Sequence, residues 1–189
     1  MYIIVGLGNP GEEYELTRHN TGRMVAEDFA KANKFPVWIF DKKSNALKSE
    51  AKIKKDKVLL LLPETMMNNS GNAVQKFITS KKKAEQLIVV HDDLDLALGR
   101  FKISFAKSSG GHRGVESVIK KIKTDKFIRI RVGTYPKKKP QGKEVIKFLM
   151  GKFTPKELSV FKKTSKKITS ALEMIIAEDL QKAMSSYNK

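Results

Sequence analysis

The chain has 189 residues and is 40% hydrophobic, enough for one compact domain with a packed core. It carries 38 Lys+Arg against 20 Asp+Glu, a net charge of +18. A field of that size attracts polyanions, although a uniformly lysine-rich set of proteins would show the same excess. Cysteine is absent, which excludes disulfides, thiolate zinc sites and cysteine nucleophiles; no basic-then-apolar leader and no membrane-length apolar run is visible, so a cytoplasmic protein with no membrane partner is expected.

Residues 2–5 are a short β-branched run that ends in glycines, which predicts a buried strand. Residues 21–34 place Met24, Val25, Phe29 and Ala32 at helical spacing. The alternation over 51–57 predicts an edge strand, and the continuous apolar run 58–62 a central one covered on both faces. A helix is expected from Ser70, with Ala73, Val74 and Phe77 inward, followed by a further central strand over 87–90. Residues 101–105 alternate as a more exposed strand, 127–132 alternate again, and Val115, Val118, Ile119 and Ile122 form a helical stripe between them. Two prolines and three consecutive lysines make 137–142 an exposed loop, before a short amphipathic helix at 144–150. Thr154, Pro155 and Glu157 then spell an N-cap, a first helical position and a capping box. The sum is a single α/β domain over 1–189: a twisted mixed sheet, parallel at its centre, with helices on both faces. Residues 137–150 are expected as a mobile loop or lid and 154–187 as a C-terminal helical region.

Polar clusters end the apolar runs: Asn9 with His19 and Asn20, Asn68 with Ser70 and Gly71, and His91-Asp92-Asp93. Parallel strands would gather them at one sheet edge, equipped for proton transfer and for holding a carbonyl. Gly6-Leu7-Gly8-Asn9-Pro10-Gly11 fits the GxGxxG spelling, but Pro10 removes an N–H and Glu12, Glu13 and Glu15 would repel a phosphate. His19, in a polar loop, suits a general base or a capping histidine equally. Asn68 suits a carbonyl-holding amide or a helix N-cap. The acids and histidine at 91–95 match no familiar zinc or calcium spacing, so no metal is expected. Asp92 could orient His19, while Asp93 and Asp95 read as solvated turn residues. Residues 108–114 read as an anion site before a helix or as a flexible turn with a cap.

Taken together, these residues resemble the bacterial peptidyl-tRNA hydrolase family over nearly the whole chain. The likeness rests on Gly6 to Gly11 with Tyr14 and Thr17-Arg18-His19-Asn20, on Pro63, Thr65, Met67-Asn68 and Ser70-Gly71, and on His91-Asp92-Asp93-Leu94-Asp95. Gly111-His112, Gly114, and Phe127 with Arg129 to Gly133 add support. The resemblance implies a hydrolase that cuts the ester between a peptide and the 3′ ribose of tRNA, without metal or cofactor; nothing in the sequence demands a partner copy, so a monomer is expected. It implies His19 as the base for water, Asp92 as its holder, and Asn9 and Asn68 on the substrate carbonyl and the water. Met67 would line the pocket, Tyr14 would pack at its edge, and His112 and Arg113 would join the substrate-binding set. Lys102, Arg129, Lys137 and Lys138 are candidates for phosphate contact.

The chain departs from the family pattern at Arg113, where asparagine is usual, at Ala106-Lys107-Ser108, where glycines are usual, and at Thr134-Tyr135. A guanidinium donates but does not accept hydrogen bonds, so Arg113 could grip a carbonyl or a phosphate but not orient a water as an amide does. A non-catalytic RNA-binding protein with the same fold is the alternative that Arg113 raises.

Overall fold

Residues 1–136 and 138–188 are described by a computed structural model. The strands are β1 (Tyr2–Gly6), β2 (Ile39–Asp41), β3 (Ala46–Ile53), β4 (Asp56–Pro63), β5 (Leu87–Ala97), β6 (Phe101–Phe105) and β7 (Ile128–Tyr135). They form one seven-stranded sheet in the order β2-β3-β4-β1-β5-β7-β6. The central strands β4, β1, β5 and β7 run parallel. The margins are antiparallel, β2 and β3 on one side and β6 on the other. This is the expected mixed sheet with a parallel centre.

The helices are α1 (Thr21–Ala32), α2 (Ser70–Val74), α3 (Lys81–Ala84), α4 (Arg113–Ile122), α5 (Glu144–Met150), α6 (Pro155–Ala177) and α7 (Leu180–Tyr187). Alternate strand residues feed two cores. Ile4, Leu60, Ile88 and Ile130 pack beneath Val25 and Phe29 of α1 and Phe161, Ile168 and Leu172 of α6. Ile3, Val5, Leu61 and Val89 pack beneath Val74 of α2 and Val115 and Val118 of α4. Burial on both faces is why the central runs read as continuously apolar. Among the described residues no helix is long and apolar enough to cross a membrane.

The sequence reading needs correction in three places. Residues 51–57 are not one edge strand. They are the end of β3, a turn with Lys54 at φ 52°, and the start of β4. The true margin, β2, has only three residues, and Ile39 and Phe40 are exposed there, so no buried pattern marked it. The strand expected at 87–90 continues to Ala97, so His91 to Asp95 lie within β5. Its pairing with β1 stops at Val90, while β7 accompanies it further. Asp93 and Asp95 are therefore strand residues with partners. Asp93 Oδ2 faces Arg131 Nε at 2.7 Å and Asp95 Oδ1 faces Lys139 Nζ at 2.5 Å.

α1 docks closely at the C-terminal end of the central strands. A Cβ on Gly22 would lie 2.1 Å from the Val90 carbonyl oxygen, so only glycine permits the approach. That contact brings the residues just before α1 over the sheet edge. α6 starts as the sequence predicts: Thr154 caps it, with Pro155 in the first turn and Glu157 closing the capping box. Such a cap contributes about 0.5–2 kcal/mol.

Candidate active site

β1 and β4 end at the same edge and are followed by Asn9 and by Met67-Asn68, while β5 runs past it and carries Asp92. A turn of 3-10 helix over Arg18–Asn20 brings His19 to them. Asn20 fastens this turn to the first loop. Its Oδ1 accepts from the Asn9 N–H and its Nδ2 donates to the Asn9 carbonyl, both at 2.9 Å. Asn9 in turn fastens the third segment, since its Oδ1 accepts from the Met67 N–H at 2.8 Å. Among the described residues the Asn9 Nδ2 has no partner, and Asn9 lines the cleft.

The His19 and Asp92 side chains meet, with Nδ1 3.0 Å from Oδ1. The same carboxylate oxygen lies 2.9 Å from His112 Nε2. These contacts assign the tautomers. His112 Nδ1 accepts from the Val115 N–H at 3.2 Å, as the N-cap of α4, so its proton is on Nε2 and goes to Asp92. His19 donates through Nδ1, which leaves the Nε2 lone pair free. His91 donates through Nδ1 to the Asp92 carbonyl at 2.7 Å, and its ring meets that of His112 edge-on at 4.7 Å.

Burial favours a neutral Asp92, but the facing His19 and His112 rings and their hydrogen bonds overcome it and hold the carboxyl well below the usual carboxylate range. Burial pulls the His19 ring down, the Asp92 charge and hydrogen bond push it up, and Arg113 opposes them; the balance lies above the ordinary value of 6.5. His91, fully enclosed, is held well below that value by burial and by the neighbouring His112 and Arg129.

These groups open on a cleft of about 710 Å³. Asn68 and Arg113 line it and are exposed, while Met67 lines it and is buried. Gly114 lets α4 close on Met67, because a Cβ there would lie 2.5 Å from the Met67 sulfur. On the far side α5 presents Val145, Ile146, Leu149 and Met150.

Three expectations change. His112 was expected to bind substrate, but both its ring nitrogens are engaged within the protein. Tyr14 is not among the residues that line the cleft; its main-chain carbonyl accepts the Thr17 hydroxyl at 2.7 Å. Arg129 is buried and donates to the Ser109 carbonyl at 3.5 Å, so it supports the loop before α4 and is not a free phosphate ligand. Lys137 lies outside the described residues. Lys102 and Lys138 are exposed.

The family model described as peptidyl-tRNA hydrolase matches residues 3–189. The chain belongs to this family. It is 43% identical over 189 residues to the peptidyl-tRNA hydrolase of Aquifex aeolicus, covering 99% of this chain and 96% of that one. It is 40% identical over 190 residues to that of Carboxydothermus hydrogenoformans, covering 100% and 99%. The crystal structure of peptidyl-tRNA hydrolase from Acinetobacter baumannii superposes with a TM-score of 0.91 at 30% identity, covering 100% of this chain and 94% of that one.

Within this peptidyl-tRNA hydrolase fold, sequence reasoning assigned no role to three supporting residues. Asn20 joins two loops. Arg23 reaches from α1 to the segment before Met67, with Nη2 2.6 Å from Glu64 Oε1 and Nη1 3.3 Å from the Pro63 carbonyl. Arg18 holds the far wall. All three stand beside His19 in a polar run, and that crowding was the available signal. His19, Asp92 and His112 also bring possible metal-ligand atoms within 4.8 Å of one another. Asp92 Oδ1 already joins both rings by hydrogen bonds.

Proposed function

We propose that this peptidyl-tRNA hydrolase family member hydrolyses the ester between a peptide and the 3′ ribose of tRNA, with His19 as the general base. The observation that carries the reading is the Asp92 Oδ1 contact, which leaves His19 Nε2 unprotonated beside an open cleft. A water held there gives its proton to Nε2 as it attacks the acyl carbon. The positive charge that forms on the ring is offset by Asp92. In this reading Asn9 Nδ2 and the Asn68 amide donate to the carbonyl oxygen as it becomes an oxyanion. When the intermediate collapses, the ester C–O bond breaks and the ribose 3′ oxygen takes the proton back from the ring.

A base of this kind contributes about 10²–10⁴-fold. One oxyanion donor adds about 10²–10³-fold. An ester needs no more, so neither a covalent nucleophile nor a cofactor is required. Met67 forms the buried floor of the pocket and Arg113 its charged rim. The +18 charge attracts the tRNA body without reading its sequence, with Lys102 and Lys138 as exposed candidates. One copy supplies every group used, so a monomer suffices, and the cytoplasm is where such a substrate arises.

The test is release of free peptide from purified peptidyl-tRNA. Turnover that disappears in His19→Ala supports the assignment. No turnover in the unaltered protein, with tight and salt-sensitive RNA binding, would leave an RNA-binding protein instead.

A further inference from the structure

Arg18 immediately precedes the proposed base, yet its guanidinium lies away from the cleft, in the junction between α5 and α6. Nη1 donates to the Phe148 carbonyl at 3.3 Å and to the Gly151 carbonyl at 3.1 Å, and Nη2 to Glu157 Oε2 at 2.8 Å. The guanidinium carbon sits 4.4 Å from the Phe148 ring centre and 5.4 Å from that of Phe153. The main chain repeats the join. Arg18 N–H donates to the Gly151 carbonyl at 3.1 Å and Phe153 N–H to that of Leu16 at 2.9 Å.

α5 needs such a fastening. It contributes no buried residue, so core packing does not fix its pose. Its face toward the cleft is apolar and open, with Ile146 63% and Met150 36% exposed, and Met66 stands 45% exposed on the opposite wall. An apolar slot next to the reacting ester suits the side chains of the peptide. Beyond the other end of the helix, the described link is the exposed Lys139–Asp95 pair, and such pairs contribute about 0–1 kcal/mol. The firm attachment is the buried one at Arg18.

We propose that Arg18 is a positioning residue that sets α5, as the wall receiving the peptide, relative to His19. The inference rests on the hydrolase reading above and adds a determinant of how much peptide the site feels. Arginine suits the task because a planar fork bonds three acceptors while stacking on an aromatic ring, which a lysine ammonium cannot do.

The test compares two substrates on the same tRNA: a single N-acetylated aminoacyl ester and a peptidyl ester several apolar residues long. In Arg18→Lys, KM for the long substrate should rise about tenfold with kcat nearly unchanged, the worth of one charge-assisted hydrogen bond. The one-residue substrate should change by less than about twofold, since it does not reach α5. Glu157→Gln keeps a capping-box side chain but weakens the grip on Arg18, and should shift the same ratio in the same direction; it decides the matter if Arg18→Lys does not fold. Equal losses on both substrates, a loss confined to kcat, or no loss would overturn the proposal while leaving the hydrolase reading intact. An unaltered protein that released no peptide from either substrate would overturn both.

Discussion

His112 Nε2 lies 2.9 Å from Asp92 Oδ1, on the oxygen that His19 Nδ1 approaches to 3.0 Å. The carboxylate is therefore held from two sides, and one of its holders caps a helix. His112→Ala should leave Asp92 free to turn and cost about tenfold in kcat. Asp92→Asn, which replaces the shared acceptor, should cost about 10²-fold or more. The double variant should be little worse than Asp92→Asn alone, because both changes disrupt one unit. Multiplicative losses in a steady-state double-mutant cycle would show that His112 and Asp92 act separately.

Removing the base itself is the sharper test. His19→Ala should lower ester cleavage by about 10²–10⁴-fold while the affinity for tRNA, read by filter binding, stays within about twofold, because phosphate contacts carry that affinity. Parallel loss of binding and cleavage would count against the assigned role.

The pH dependence has a definite sign. His19 works as a neutral ring and its pKa is raised above 6.5. Activity should thus fall as the pH drops, along a limb whose midpoint lies above that value. The Arg113 charge disfavours the protonated ring, so Arg113→Asn should move the midpoint to higher pH. A kcat/KM profile that shifts to lower pH in that variant would contradict the arrangement.

Salt should separate attraction from chemistry. Raising ionic strength should weaken binding of the tRNA substrate steeply, because bound phosphates release counterions. Hydrolysis of a minimal peptidyl ester on the terminal adenosine should barely respond. Equal sensitivity would place the basic surface within the catalytic step.

Gly22→Ala tests how the site is seated. The added Cβ would meet the Val90 carbonyl at 2.1 Å, and overpacking of this kind costs about 1–3 kcal/mol. The urea midpoint should fall accordingly. Because α1 must lift and carry His19 with it, kcat should also drop in protein that is still fully folded by circular dichroism.

Much of this arrangement could be read from the chain. Continuous apolar runs such as 58–62 marked the parallel centre because burial on both faces leaves no polar alternation. The capping box at Thr154 was legible because it is purely local. The meeting of His19 with Asp92 followed from parallel strand ends. β2 was invisible because a three-residue margin with exposed Ile39 and Phe40 has no periodic signal. The use of His112 was hidden for a different reason. A histidine before a helix reads as a ligand or a cap from sequence, and only the fold shows one ring serving as cap and as donor to Asp92 together. Arg129 misled because its alternating strand faces a loop that covers it.

The Asn9 side chain has one further consequence. Its oxygen is taken by the Met67 N–H, and its main chain is taken by Asn20. The reactive centre is thus tied together through amides and peptide groups and not through the exposed residues around its mouth. A substitution at the mouth, such as the arginine at 113, therefore replaces none of the bonds that hold these three segments together.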